Sequence, residues 1–175
     1  MSKIIILNGG SCSGKSTIAK EICRQSGDKF VHLQVDEAKK YLFTILDKQS
    51  TPREIGRPIC DEILLNTARI FLENGKNVVI DTTFDGVEAL EIAERHINFF
   101  TEEKILLFGI HCPLDVKLKR FEEFNNNPVR NRETIIAQHD IHNVCKNLYD
   151  EIFDTQKLSA SEIAEIILLK SSQNP

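Results

Sequence analysis

Continuous apolar runs alternate along the chain with segments of helical periodicity. The runs are Lys3–Leu7, Phe30–Val35, Asn77–Ile80 and Lys104–Ile110, with a weaker one at Glu151–Phe153. Most lack the in-and-out alternation of a half-buried strand, and unbroken apolar strands suit a parallel sheet covered on both faces. Helical spacing of apolar residues spans Lys15–Arg24, Glu37–Leu46, Cys60–Glu73, Val87–Phe100, Leu114–Phe124, Arg132–Tyr149 and Ser161–Leu169. This order predicts a βαβ succession. Ser159 with Glu162 forms a capping-box signature, and Ile163, Ile166 and Ile167 give the following helix an apolar face that closes the sheet. The expected fold is α/β, a three-layer sandwich with a central, mostly parallel five-stranded sheet, in one domain spanning 1–175. The polar stretch Phe124–Arg132 interrupts the pattern between two helices and reads as a hinged flap, a small lid near 125–133.

Composition narrows the partners. The 175 residues suffice for one domain with a proper core, and 41% hydrophobic content is ordinary for a soluble globule. A net charge of −4 argues against broad binding to nucleic acid or an anionic membrane and favours small-molecule substrates. The five cysteines are odd in number and show no CxxC spacing, so neither a disulfide framework nor a zinc site is indicated and a reduced, cytoplasmic setting is expected. No charged-then-apolar leader precedes the first strand, and no apolar run approaches the length of a membrane span.

The chemistry begins at Gly9-Gly10-Ser11-Cys12-Ser13-Gly14-Lys15-Ser16-Thr17, a Walker A loop set between a predicted strand and a predicted helix. Gly9 and Gly14 let the backbone bend so that its N–H groups face phosphate oxygens. Lys15 reaches the β- and γ-phosphates, and the Ser16 hydroxyl can hold Mg²⁺. The helix that follows adds the positive end of its dipole.

Two acids stand at predicted strand ends. Asp81 closes the run Val78-Val79-Ile80, the place of a Walker B acid that holds Mg²⁺; the plainer reading is a turn or helix cap. Asp36 follows Val35 where a helix begins. A carboxylate there can take the proton of an attacking hydroxyl, a role that contributes about 10²- to 10⁴-fold in rate, or it can serve as a helix N-cap. Arg130 and Arg132 lie in the flap, and Arg120 lies one helix earlier, near the nucleotide; each is a candidate cation for phosphate charge, or else a solvated surface group. Lys117 and Lys119 read as helix surface.

The run IIILNGGSCSGKST, the pair Val35-Asp36, the VVID ending at Asp81 and the pattern Tyr149-Asp150 with Asp154-Thr155 resemble the chloramphenicol phosphotransferase-like P-loop kinases over nearly the whole chain. The resemblance implies a P-loop kinase fold and ATP- and Mg²⁺-dependent transfer of the γ-phosphate to a hydroxyl of a small molecule. It implies Lys15 and Ser16 at the nucleotide, Asp36 as general base, and a lid bearing Arg130 and Arg132. The polar segment Asp47–Pro58 departs from it where the family shapes its acceptor pocket. Arg53 and Arg57 there can bind an anionic group on the acceptor, or belong to a solvated loop. A kinase of macromolecules, such as polynucleotide, and a nucleotide-binding switch remain alternative readings, and a homodimer is compatible with the sequence.

Weaker signals complete the reading. His139 and His142 share a spacing that a metal can use, but no third ligand stands nearby, and a lid helix explains them better. Cys12 is read as packing within the loop, and His111-Cys112-Pro113 as architecture. Tyr149 and Asp150 serve either the nucleotide end or the fifth strand.

Overall fold

The computed structural model describes residues 2–46, 52–124 and 131–173. Five strands, β1 (Lys3–Asn8), β2 (Phe30–Gln34), β3 (Asn77–Thr82), β4 (Lys104–His111) and β5 (Glu151–Asp154), form one sheet in the order β2-β3-β1-β4-β5. Every pairing is parallel. The central strand explains why its sequence is apolar without a break. Ile4 and Ile6 pack on one side of the sheet with α2 (Val35–Ile45), α3 (Arg53–Glu73) and α4 (Ala89–Phe99). Ile5 and Leu7 pack on the other side with α1 (Lys15–Gln25) and α8 (Ala160–Gln173). The three-layer α/β sandwich is therefore as expected.

The chain moves from β1 to the β2–β3 side, then from β3 across β1 to β4. This reversal makes the carboxyl ends of β1, β3 and β4 a topological switch point, where open α/β sheets hold their ligands. The capping box at Ser159 also forms: its N–H donates to Glu162 Oε2 at 2.8 Å, and Glu162 N–H donates to Ser159 Oγ at 3.3 Å.

Three boundary differences bear on the site. The helix expected from Cys60 starts at Arg53 and runs through Pro58, so the described end of the polar segment is helix rather than loop. Proline removes a hydrogen bond from a helix interior, but Arg57 Nε donates to Asp61 one turn later at 3.0 Å and clamps the turn around Pro58. The single helix expected over Arg132–Tyr149 is three pieces: α6 (Arg132–Ala137), α7 (Ile141–Val144) and a 3-10 turn at Lys146–Leu148. It breaks at Gln138, whose carbonyl and side chain turn onto the phosphate loop. Helix α2 begins at Val35, which places Gln34 at the N-cap and Asp36 inside the first turn, so Asp36 is not the cap. Of the expected lid, 125–130 lie outside the described residues, as does the segment 47–51.

Candidate active site

The phosphate loop follows β1 at the switch point and runs into α1. Gly14 is the N-cap of α1 with φ 99°, a left-handed conformation that costs a side-chain-bearing residue strain. Gly9 is required for a different reason: a Cβ there would overlap the Ile110 carbonyl oxygen on β4. Cys12 lies at the loop tip with φ 61°. Ser13 Oγ is buried with no hydrogen-bond partner among the described residues, a polar atom left over inside the cradle.

Lys15 folds back over the loop and donates to the Gly10 carbonyl at 3.1 Å, with its ammonium 3.8 Å from Asp81 Oδ1. Ser16 Oγ donates to Asp81 Oδ2 at 2.5 Å. Asp81 is reached because β3 pairs with β1 in a register that sets Leu7 beside it. It lies within the strand, one residue before the end, rather than after it. Burial pushes its carboxyl up. The charge of Lys15, His32 with its Nε2 at 3.6 Å, and the Ser16 hydroxyl together outweigh burial and hold it below the ordinary carboxylate range. A hydroxyl and an ionised carboxylate are oxygen donors of the kind that a hard cation such as Mg²⁺ takes. The orphaned Ser13 hydroxyl and the bare glycine backbone likewise fit a phosphate chain.

Asp36 stands on the same edge. Gln34 pairs in register with Asp81, so Asp36 sits two residues beyond the strand position beside that acid. Its carboxylate is 41% exposed and accepts from Lys39 Nζ at 2.9 Å.

The arginines divide. Arg120 on α5 (Leu114–Phe124) reaches beneath the loop and donates to the Cys12 carbonyl at 3.3 Å and to Thr155 Oγ1 at 2.9 Å. Thr155 Oγ1 in turn donates to the Ser13 carbonyl at 2.9 Å, so Arg120 supports the loop from the β5 side. Arg132 has an exposed side chain 3.6 Å from Glu122 and starts α6. Arg130 lies outside the described residues. Arg57 is buried, with Nη1 donating to the Thr83 carbonyl at 2.8 Å and standing 3.4 Å from Asp85. It is neither a solvated loop residue nor a free anion receptor, because Asp61, Thr83 and Asp85 already occupy its donors.

Other residues at the site were not legible. Gln138 Oε1 accepts from the Ser11 N–H at 3.1 Å and the Ser11 hydroxyl at 2.8 Å, while its Nε2 donates to Asp85 at 2.7 Å. Asn8 bridges sideways, donating to the Tyr149 hydroxyl at 2.6 Å and accepting from the Phe84 N–H at 2.7 Å. Lys117, read as surface, is fully buried beside Gly10. Its signal was the i, i+3 spacing to Arg120, which sets both cations on the helix face turned to the loop. Tyr149 and Asp150 serve the sheet: Asp150 Oδ2 accepts from the Leu107 N–H at 2.7 Å. Thr17 is exposed on α1. The side chain of His142 lies outside the described residues, and among those described no group of three metal-ligating side chains forms. No described helix is long and apolar enough to cross a membrane.

Comparison with known proteins agrees with this fold. Residues 2–172 match the family model described as chloramphenicol phosphotransferase-like protein. Shikimate kinase of Staphylococcus aureus (strain MSSA476) is 29% identical over 168 residues, which cover 91% of this chain and 88% of that protein. Among solved structures, shikimate kinase from Acinetobacter baumannii in complex with shikimate has a TM-score of 0.66 at 18% identity, covering 100% of this chain and 97% of that one. APS kinase of Mycobacterium tuberculosis in complex with AMPPNP and APS has a TM-score of 0.69 at 18% identity, covering 98% of each chain. A phosphate loop at the switch point of a parallel sheet, in a chain whose curated relatives are kinases, makes this an ATP-dependent P-loop kinase, and the chain belongs to the chloramphenicol phosphotransferase-like protein family.

Proposed function

We infer that the chain, acting as a single domain over 1–175, transfers the γ-phosphate of ATP to a hydroxyl of a small molecule, with Asp36 as general base. The observation that carries this reading is the convergence of Lys15, Ser16 and Asp81 at the switch point, with Asp36 on the same sheet edge. The phosphate loop seats the nucleotide, and Lys15 carries its charge to the β- and γ-phosphates. Ser16 and Asp81 would hold Mg²⁺, which neutralises charge on the transferred group. Asp36 accepts the proton of the attacking hydroxyl, and Lys39 orients the carboxylate until it does. Arg130 and Arg132 are the lid cations that would complete the charge balance.

The acceptor is a small molecule because the likeness to shikimate kinase spans nearly the whole of both chains, and because a net charge of −4 disfavours the basic channel that a polynucleotide needs. Arg57 is bound within the protein, so an anionic acceptor would have to find its cation elsewhere.

The test is mass spectrometry of a pooled library of antibiotics and hydroxylated metabolites, shikimate and chloramphenicol included, after incubation with Mg²⁺, ATP and the purified chain. A mass gain of one phosphate with the wild type and none with Lys15→Ala is the expected result. A wild type that binds ATP and phosphorylates nothing in the pool, yet labels RNA or protein, overturns the small-molecule reading.

A further inference from the structure

Helix α5 turns two cations toward the phosphate loop, Lys117 and Arg120, three residues apart. Arg120 is satisfied by Cys12, Thr155 and Cys112. Lys117 is not. Its side chain is 1% exposed, and its ammonium makes one hydrogen bond among the described residues, a long one of 3.4 Å to the His139 carbonyl. No carboxylate of the described residues pairs with it, and the stretch 125–130 that follows α5 contains no acid. Burial first, and then the charge of nearby Lys15, push the ammonium below the usual lysine range; Cys112 and Asp140 oppose this only in part.

A buried ammonium without a counter-charge is costly, and an aliphatic side chain would fill the same space without that cost. The location supplies the reason for the charge. Lys117 Nζ stands 3.0 Å from the point that a Cβ on Gly10 would occupy, while Lys15 Nζ bonds the carbonyl of that same Gly10. Two ammonium groups thus attend one residue of the loop. Next to it, the Ser11 N–H, a donor of the kind that phosphate takes, is held by the Gln138 amide.

We propose that Lys117 is a second phosphate-binding ammonium of this loop, and that the phosphate chain of the bound nucleotide is the counter-charge its buried position lacks. Seating the phosphates displaces the Gln138 amide from Ser11, and a phosphate oxygen replaces the long contact to the His139 carbonyl. The proposal rests on the nucleotide-binding reading above and adds to it a residue that the Walker A pattern does not contain.

The experiment compares wild type, Lys117→Met and Lys117→Gln by thermal melting without ligand and by titration calorimetry with MgATP and with magnesium tripolyphosphate. A charge-assisted hydrogen bond accounts for about ten- to hundredfold in affinity, so both variants should bind MgATP that much more weakly. Tripolyphosphate should lose the same factor, since the contact is to phosphate and not to the base. Unliganded Lys117→Met should melt higher than wild type, because an unpaired buried charge has gone. Lys117→Gln keeps an uncharged polar donor at the site and guards against a loss of fold in the Met variant. Variants that bind both ligands as tightly as wild type overturn the role of Lys117 alone. A wild type that binds neither ligand overturns the nucleotide reading together with it.

Discussion

The hydroxyl of Ser16, in the first turn of α1, and the carboxylate of Asp81, on β3, are joined by a hydrogen bond of 2.5 Å at the switch point. The pairing holds both oxygens together beside the phosphate loop, and Lys15 helps to keep Asp81 ionised. Asp81→Asn preserves shape and the acceptor for Ser16 but removes the negative charge. Phosphate transfer should fall about 10²-fold or more, the scale of losing one preorganised electrostatic contact, and the Mg²⁺ concentration for half-maximal rate should rise. Steady-state rates across a Mg²⁺ titration check this. An unchanged Mg²⁺ requirement would reduce Asp81 to a structural partner of Lys15.

Asp36 sits half-exposed on the first turn of α2, where substitution perturbs little packing. Asp36→Asn should therefore melt like the wild type, bind ATP equally well, and lose about 10²- to 10⁴-fold in kcat. The amide cannot take the proton from the acceptor hydroxyl. Retention of full transfer towards a confirmed acceptor would remove Asp36 from the chemistry.

The parts of this site written in local spacing were legible before the fold was known. Glycines, Lys15 and Ser16 are fixed by the loop's own geometry, and Asp81 by the rule that a buried apolar run ends at the ligand edge. Continuous runs such as Ile4–Leu7 announced a sheet covered on both faces, because residues of either parity meet a helix layer. Contacts made by the three-dimensional path were not legible. Gln138 reaches Ser11 across 127 positions, and no periodicity foretells that a helix will break to let it. Lys117 looked like a solvated face because lysine usually is one; only the docking of α5 on the loop buries it. Pro58 read as a boundary, whereas the Arg57–Asp61 clamp carries the helix through it.

That clamp makes a stability prediction. Asp61 is fully buried and takes Arg57 Nε on both oxygens at 3.0 Å, with Arg95 at 3.9 Å. Removing one member of a buried pair strands the other charge, so Asp61→Ala should cost about 3–5 kcal/mol. The double variant Arg57→Met/Asp61→Leu, apolar on both sides, should recover most of it. Chemical denaturation of the two variants beside the wild type measures the difference. A double variant as unstable as Asp61→Ala would mean that Arg57 matters more for Thr83 and Asp85 than for Asp61.

His96 gives a pH dependence of definite sign. Its ring is fully buried, with Nδ1 donating to the Ile92 carbonyl at 2.8 Å, Phe84 edge-on at 5.0 Å, and Nε2 3.7 Å from Asp61. Burial lowers its pKa from 6.5 to about 4, against the pull of Asp61 and the Ile92 carbonyl and with the help of Arg57 and Arg95. Above pH 6.5 the imidazole is neutral in folded and unfolded chains alike and contributes nothing to the pH slope. Below 6.5 the unfolded chain takes up a proton that the folded chain refuses until about pH 4, so stability falls across that window. The full loss is about 3 kcal/mol at the 1.36 kcal/mol of each pKa unit, which lowers the melting midpoint by about 6–12 °C for a domain of this size. Acid titration of carboxylates adds to the slope in every variant. Thermal melts of wild type and His96→Leu between pH 7 and 4 isolate the histidine, because leucine fills the site with nothing to protonate. The leucine variant should lose less on acidification by about that amount, and equal losses in the two proteins would mean that the buried carboxylates alone drive acid unfolding.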